Sequence, residues 1–267
     1  MHTALDKVPG GVRGKMCEVL GLQSPEVLIP TKHSIKKLLT YGPLPAQDVL
    51  LEKLFVAGAG HFGNYSQCSF STEGTGGFLP EPGAQPTLGT RGQRHLEPEA
   101  QIQITYEAHR EKSVLQALFT NHPYEEVAYE VTTLDNTYTG IGMGMLGRLP
   151  EPMDPKVFLK FIKDAFGTGC IRHSSLLKAP VEKVAVLGGS GAFGIDAALA
   201  RGADFFITGD VKYHEFYKAE GKMVIADIGH YETEQFTKNL LAEYLSEKIP
   251  NFAVSLSETK TNPINYF

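Results

Sequence analysis

The chain has 267 residues, 42% hydrophobic and 21% charged, proportions that exclude a disordered tail or a fibre and leave room for two domains, each with its own core. Thirty Asp and Glu against 25 Lys and Arg give a formal charge of −5; without a Lys/Arg cluster this is a poor phosphate-backbone binder, so neither nucleic acid nor an anionic membrane is an expected partner. No apolar run reaches the ~18 residues of a spanning helix and residues 1–11 lack a signal-like apolar stretch, which with three scattered cysteines, Cys17, Cys68 and Cys170, gives the expectation of a cytoplasmic protein without disulfides, its thiols acting as small buried or half-buried hydrophobes.

The first thirty residues are too short for a domain and are assigned to the C-terminal α/β unit, with the middle of the chain inserted. That middle reads strand (35–41), helix (46–57), strand (around 68–72), a Gly/Pro-rich stretch (74–92), strand (101–106), helix (111–121) and strand (127–134). Two strand–helix–strand passages in succession are the split βαβ, ferredoxin-like order. The Gly/Pro stretch exceeds a hairpin turn and reads as a flap or mobile loop. An amphipathic helix follows at 155–166, with Phe158, Phe161, Ile162, Ala165 and Phe166 on one side and Pro155 in its first turn.

Beyond it, strands at 184–187, 204–208 and 223–226 alternate with helical stretches. The last of these carries Phe236, Leu240, Leu241, Tyr244 and Leu245 at helical spacing, and a final strand is expected from Phe252. The alternation predicts a parallel α/β sheet. The fold class expected is therefore α/β, with a discontinuous core of residues 1–32 and 137–267 and an inserted ferredoxin-like α+β domain at 33–136.

The most suggestive chemistry is His230 and Glu234 in Asp-Ile-Gly-His-Tyr-Glu-Thr-Glu (227–234). Four residues apart at a helix start, the two share a face and can reach one ion. Imidazole plus carboxylate suits Zn, Fe, Mn or Co better than Ca. The ordinary alternative is an exposed His and a Glu favoured by the helix N-terminus. His2 and Asp6 form a similar pair at the start of the chain. Gly188–Gly191, Gly209-Asp210 and Gly229-His230 each follow a predicted strand, and the carboxyl edge of an open parallel sheet is where ligands bind.

Rival readings attach to the same residues. Gly189 to Gly194 fits G-x-G-x-x-G after a strand, with Asp210 about twenty residues on, as in a dinucleotide site; the intervening helix looks short for one. No Walker loop or G-x-S-x-G elbow is present, so Ser190 is a poor nucleophile. A second site using His61, His122 and Glu125 is set against helix-end roles for the same segments.

Together the motifs resemble the NIF-three-like family, the GTP cyclohydrolase I type 2 homologues with a dinuclear metal centre. They are His-Thr-Ala-Leu-Asp (2–6) with Pro-Gly-Gly (9–11), Val-Leu-Gly-Gly-Ser-Gly (186–191), Thr-Gly-Asp-Val-Lys-Tyr-His (208–214) and Asp-Ile-Gly-His-Tyr-Glu-Thr-Glu (227–234). Residues 58–65, 68–70 and 122–126 are similar to the CutA/PII-like insert of a subset of that family. The resemblance implies Asp6, His230 and Glu234 as metal ligands and His2 as an auxiliary residue behind them. It implies Asp210 and His214 as catalytic groups lining the same cleft, and a ring-shaped homohexamer. Set against the resemblance, an upstream portion with a His-His pair is expected to be missing before the His-Thr-Ala-Leu-Asp motif; with those histidines two ions per subunit are implied.

Three functions follow as expectations. One is a divalent-metal-dependent hydrolase acting on a nucleotide-like small molecule, with His214 as acid/base and Asp210 positioning substrate or water. The second is a regulatory protein binding a small effector through the inserted domain, its metal structural. The third is a dinucleotide-dependent oxidoreductase.

Overall fold

The structure, a computed structural model, describes residues 2–7 and 10–266; Pro9 and the side chain of His2 lie outside what it describes. In chain order the elements are α1 (His2–Lys7), α2 (Val12–Val19), β1 (Gln23–Pro30), β2 (Ile35–Pro43), α3 (Gln47–Val56), β3 (Phe70–Phe78), β4 (His95–Glu107), α4 (Glu111–Asn121) and β5 (Tyr129–Thr133). Then come β6 (Gly142–Met153), α5 (Pro155–Phe166), β7 (Arg172–His173), β8 (Val181–Ser190), α6 (Ile195–Ala200), β9 (Phe205–Gly209), β10 (Val224–Asp227), α7 (His230–Glu234) and α8 (Thr237–Lys248). Contacts divide them into two units, residues 1–31 with 139–267, and residues 32–138. Among the described residues no helix is long and apolar enough to cross a membrane.

The first unit is built on a six-stranded sheet in the order β1-β6-β8-β9-β10-β7. Only β8, β9 and β10 run parallel; β1, β6 and β7 join antiparallel. The expectation of a parallel sheet is corrected to a mixed one. Strands β1, β6 and β7 go beyond the expected elements, and β6 is hidden in the sequence by glycine. A Cβ at Gly142 would overlap Ile29 O, and one at Gly144 would stand 2.8 Å from Val186 O, so the neighbouring strands leave no room for the side chains that announce a strand.

Alternation along the central strands sends Val184, Val186, Phe205 and Ile207 to one face and Ala185, Leu187 and Phe206 to the other. The first face is covered by α2 and α5. Helix α5 starts where Asp154 accepts from the amides of Lys156 and Val157, and ends at left-handed Gly167. Its stripe of Phe158, Ile162 and Phe166 is fully buried, with Phe158 edge-on to Phe205 at 5.0 Å. Helix α6 covers the other face with Ile195 and Ala198.

Three further expectations are revised. No strand forms from Phe252; residues 253–266 are irregular and attach through Lys238 Nζ donating to Ser257 O and Asn262 Nδ2 donating to Glu232 Oε1. The Tyr-rich segment is a 3-10 turn, Tyr213–Ala219. Cys17 is buried, its thiol pushed up to about 12 by desolvation, and Cys68 is half-buried, but Cys170 is exposed.

The second unit is a four-stranded antiparallel sheet, β3-β4-β2-β5, the arrangement of a split βαβ unit. One face buries Leu38, Ile104 and Tyr106 against Leu54 of α3 and Val114 and Leu118 of α4. The Gly/Pro stretch proves shorter than expected. Gly74, Gly76 and Gly77 belong to β3, paired with β4, and only residues 79–94 form the connection.

Candidate functional site

The parallel strands bring three loop starts to one edge of the first unit. Strand β8 ends in Gly188-Gly189-Ser190, β9 in Gly209 with Asp210 next, and β10 in Asp227, leading through Gly229 into α7. The turn after β10 is fixed from within. Buried Asp227 accepts from Gly229 N at 3.1 Å and Val211 N at 2.9 Å, and pairs with Arg172, which also donates to Val211 O at 2.6 Å. Gly229 takes φ +101, and a side chain there would overlap Glu232.

That turn delivers His230 and Glu234 to the edge. His230 Nε2 faces Glu234 Oε2 at 3.5 Å, and Asp210 Oδ2 lies 2.6 Å from the opposite ring nitrogen, Nδ1. The contact with Asp210, and then the charge of Glu234, raises the His230 pKa above its usual range against the opposing effect of burial. Asp210 holds a left-handed conformation, φ +53, immediately after Gly209, where a Cβ would stand 2.8 Å from the His230 amide nitrogen. Gly189 forms the floor: a Cβ there would stand 2.5 Å from Glu234 Oε1 and 3.3 Å from His230 Nε2. Its amide donates to Thr233 Oγ1 at 2.8 Å, tying β8 to α7. Beside this cluster opens a cleft of 970 Å³, walled on its far side by the C-terminal stretch with Asn262 and Tyr266.

The structure therefore gathers Asp210, His230 and Glu234. Asp6 is half-buried on α1, a helix packed against β6 and α2, and His2 has its side chain outside the described residues. His214 is exposed on the 3-10 turn, its ring edge-on to Tyr213 at 5.4 Å, and does not line the cleft. Among the described residues no three His, Cys, Asp or Glu donors gather closely enough to hold an ion, so the arrangement is a two-donor half-site with a supporting carboxylate behind the imidazole.

The rival readings receive packing explanations. Gly191 is required because a Cβ would overlap Thr208 Oγ1, and Gly194 because one would stand 2.9 Å from Leu187. The helix that follows has six residues, short for a dinucleotide fold. In the second unit, His122 uses both ring nitrogens on the backbone, donating from Nε2 to Tyr41 O and accepting at Nδ1 from Tyr124 N. Nothing remains for a ligand, which corrects the site expected from His61, His122 and Glu125.

Sequence reasoning missed the residues that hold the site in place. Asp227 lies within a quoted motif, but its buried role has no signature in spacing. Arg13 is fully buried and donates to Lys7 O, Gly140 O and Gly144 O, fastening the end of α1; no periodicity marks a buried arginine.

A mixed α/β unit interrupted in sequence by a split βαβ unit, with its chemistry-bearing side chains at the carboxyl edge of three parallel strands, defines a discontinuous two-unit α/β protein. The family model described as Duf34/NIF3 (NGG1p interacting factor 3) matches residues 1–263, and the chain belongs to that family. A Bacillus subtilis protein named GTP cyclohydrolase 1 type 2 homolog is 37% identical over 99% of this chain and 72% of its own length. A protein of the same name from Halalkalibacterium halodurans is 38% identical over 99% and 73%. The solved structure of a Bacillus cereus protein related to NIF3 aligns at a TM-score of 0.84 and 37% identity, covering 99% of this chain and 72% of that one.

Proposed function

We propose that the edge cluster binds a divalent transition-metal ion (Zn, Fe, Mn or Co) through His230 and Glu234, with Asp6 moving in from α1 as a third ligand and His2 behind it, and that the protein is a metal-dependent hydrolase of a nucleotide-like substrate. The observation that carries this is the 3.5 Å separation of His230 Nε2 and Glu234 Oε2. Two ligands of a tetrahedral ion with bonds of ~2.1 Å stand roughly 3.4 Å apart. Asp210 on Nδ1 is the customary support for a ligating imidazole, fixing its orientation and raising its basicity. The names of the relatives supply the substrate class.

When bound, the ion supplies a Lewis acid that draws electron density from the bond to be hydrolysed. The chain's own residues do the rest. Asp210 orients His230 and the cleft removes substrate from bulk water; the acid/base role that the resemblance gives to His214 would require that exposed ring to reach the substrate from outside the cleft. The same reading carries a homohexamer, a cytoplasmic location and, with an upstream His-His pair, a second ion per subunit.

The test is equilibrium dialysis of the purified chain against each metal, followed by elemental analysis, with GTP turnover measured in parallel. His230→Ala and Glu234→Ala should each weaken binding at least tenfold, and His214→Ala should lower turnover while leaving occupancy intact. Wild-type occupancy in both ligand variants would remove the site. A second reading, an effector-binding CutA/PII-like insert, is favoured by one observation, a 500 Å³ pocket within residues 32–138.

A further inference from the structure

Residues 79–94 fold back over the second unit. The Gln85 amide donates to Glu125 Oε1 and Thr87 Oγ1 to Pro123 O, each at 2.7 Å, and the Gly92 amide to Pro80 O at 2.9 Å. This connection is therefore pinned at both its middle and its ends. Beneath it lies a cavity of 500 Å³, the size of a small-molecule site.

Its walls are aromatic and apolar: Tyr41, Phe78 and Tyr124, with Leu79, Pro80 and Leu88 of the loop. Its charged groups are all of one sign, Glu81, Glu99, Glu125 and Glu126, and no Lys, Arg or His lines it. Glu99 is the informative one. It is only 8% exposed, and the hydroxyl of Tyr124 donates to its Oε1 at 2.7 Å. Its Oε2 occupies the space where a Cβ at Gly76 would stand, and no ion pair reaches it among the described residues. A second hollow of 270 Å³, along β3 from Thr72 to Gly76, opens on the same carboxylate. Burial and the neighbouring carboxylates hold the Tyr124 hydroxyl protonated, so it remains a donor.

A largely buried carboxylate with one neutral donor, its other oxygen open to the cavity, is a ready partner for a cation. A bare divalent ion would want a shell of oxygens, whereas most of this wall is aromatic and apolar. Aromatic faces beside a carboxylate suit a cation carried on an apolar body.

We infer that this cavity binds an organic monocation, an ammonium or guanidinium group on an apolar or aromatic body, with the charge at Glu99 and the body against Tyr41, Phe78 and Tyr124. This rests on the second reading above, that the inserted unit binds a small effector, and gives that effector its chemical class. It is independent of the metal site.

The test is calorimetric titration of the full chain with 2-phenylethylammonium and agmatine, against 2-phenylethanol, phenylacetate and magnesium chloride. The inference expects saturable binding of at least one of the two cations, at least tenfold tighter than 2-phenylethanol, and no binding of phenylacetate. Glu99→Gln, which keeps a carbonyl for Tyr124, should weaken the cation at least tenfold with an unchanged melting temperature. Gly76→Ala, whose methyl displaces the carboxylate, should do the same. Equal binding of the alcohol and the amine, indifferent to Glu99→Gln, overturns the cation class while leaving an effector pocket standing. Glu99-dependent binding of magnesium alone overturns it in favour of an inorganic ion. Silence from every probe overturns both the class and the effector reading.

Discussion

Gly189 and Glu234 are fitted to one another: the left-handed backbone of Gly189, φ +66, leaves open a space in which a Cβ would stand 2.5 Å from Glu234 Oε1. Gly189→Ala should therefore do two separable things. The backbone strain costs about 1 kcal/mol, and the methyl drives Glu234 away from His230, lowering metal affinity at least tenfold. Gly202 is the matched control. It holds φ +67 with nothing within 4 Å of its Cβ position, so Gly202→Ala should lose similar stability and keep the wild-type affinity. Equal metal affinity in the two variants, read by competition with a chelating dye, would count against the pair as ligands.

The contact between Asp210 and His230 predicts a dependence on pH in the metal-free protein. The His230 pKa is raised above 6.5, chiefly by Asp210. Its contribution to stability is thus fully present below pH 6.5 and lost as pH rises through the raised folded-state value. With both side chains about half exposed, solvent screening keeps that contribution small, and the titration itself is the better readout. Asp210→Asn should return the His230 pKa toward 6.5 in a proton NMR titration and weaken metal binding tenfold or more. An unmoved titration would show that the imidazole takes its proton affinity from elsewhere.

What was legible in the sequence follows from where physical signals are local. Helix α5 declares itself through Pro155 in its first turn and its apolar side, all within twelve residues. The His230–Glu234 juxtaposition is likewise a matter of one helical turn. Strand β6 is silent because its glycines answer to atoms of β1 and β8, far away in sequence. The tail from Phe252 carries strand-like residues, yet it pairs with no strand among the described residues and attaches through the side chains of Lys238 and Asn262 instead. Asp210 illustrates both cases. Its position after a strand marks it as part of the site, but its role behind His230 depends on two loops meeting.

His122 predicts the opposite pH behaviour in the second unit. Desolvation holds its pKa below 6.5, against the backbone contact with Tyr41 and the charge of Glu99. The folded state takes up this proton less readily than the unfolded chain, which does so as pH falls past about 6.5, so stability present above that value declines below it. Chemical denaturation at pH 5.5 and 7.5 should show the wild type losing more stability than His122→Gln, a variant whose amide can still donate to Tyr41 O. The double difference cancels the carboxylates common to both proteins. A slope identical in the two would mean that the buried imidazole accepts its proton without penalty.

Arg13 offers the largest expected loss of stability. Its guanidinium is 1% exposed and donates to carbonyls of Lys7, Gly140 and Gly144, joining the end of α1 to the start of β6. Desolvation by burial lowers its pKa from the ordinary guanidinium value. Arg13→Met conserves much of the volume but leaves these acceptors without a donor inside the fold. A cost of about 3 kcal/mol is expected, a fall of roughly 6–12 °C in melting temperature for a unit of this size. Hydrogen exchange should show where the loss falls. Amides of α1 should exchange faster than those of α5, because only the first helix loses its anchor, and metal affinity should fall with it if Asp6 completes the ligand set. Unaltered exchange in α1 alongside the full loss of stability would place the role of Arg13 in the core beneath α2 and separate it from the site.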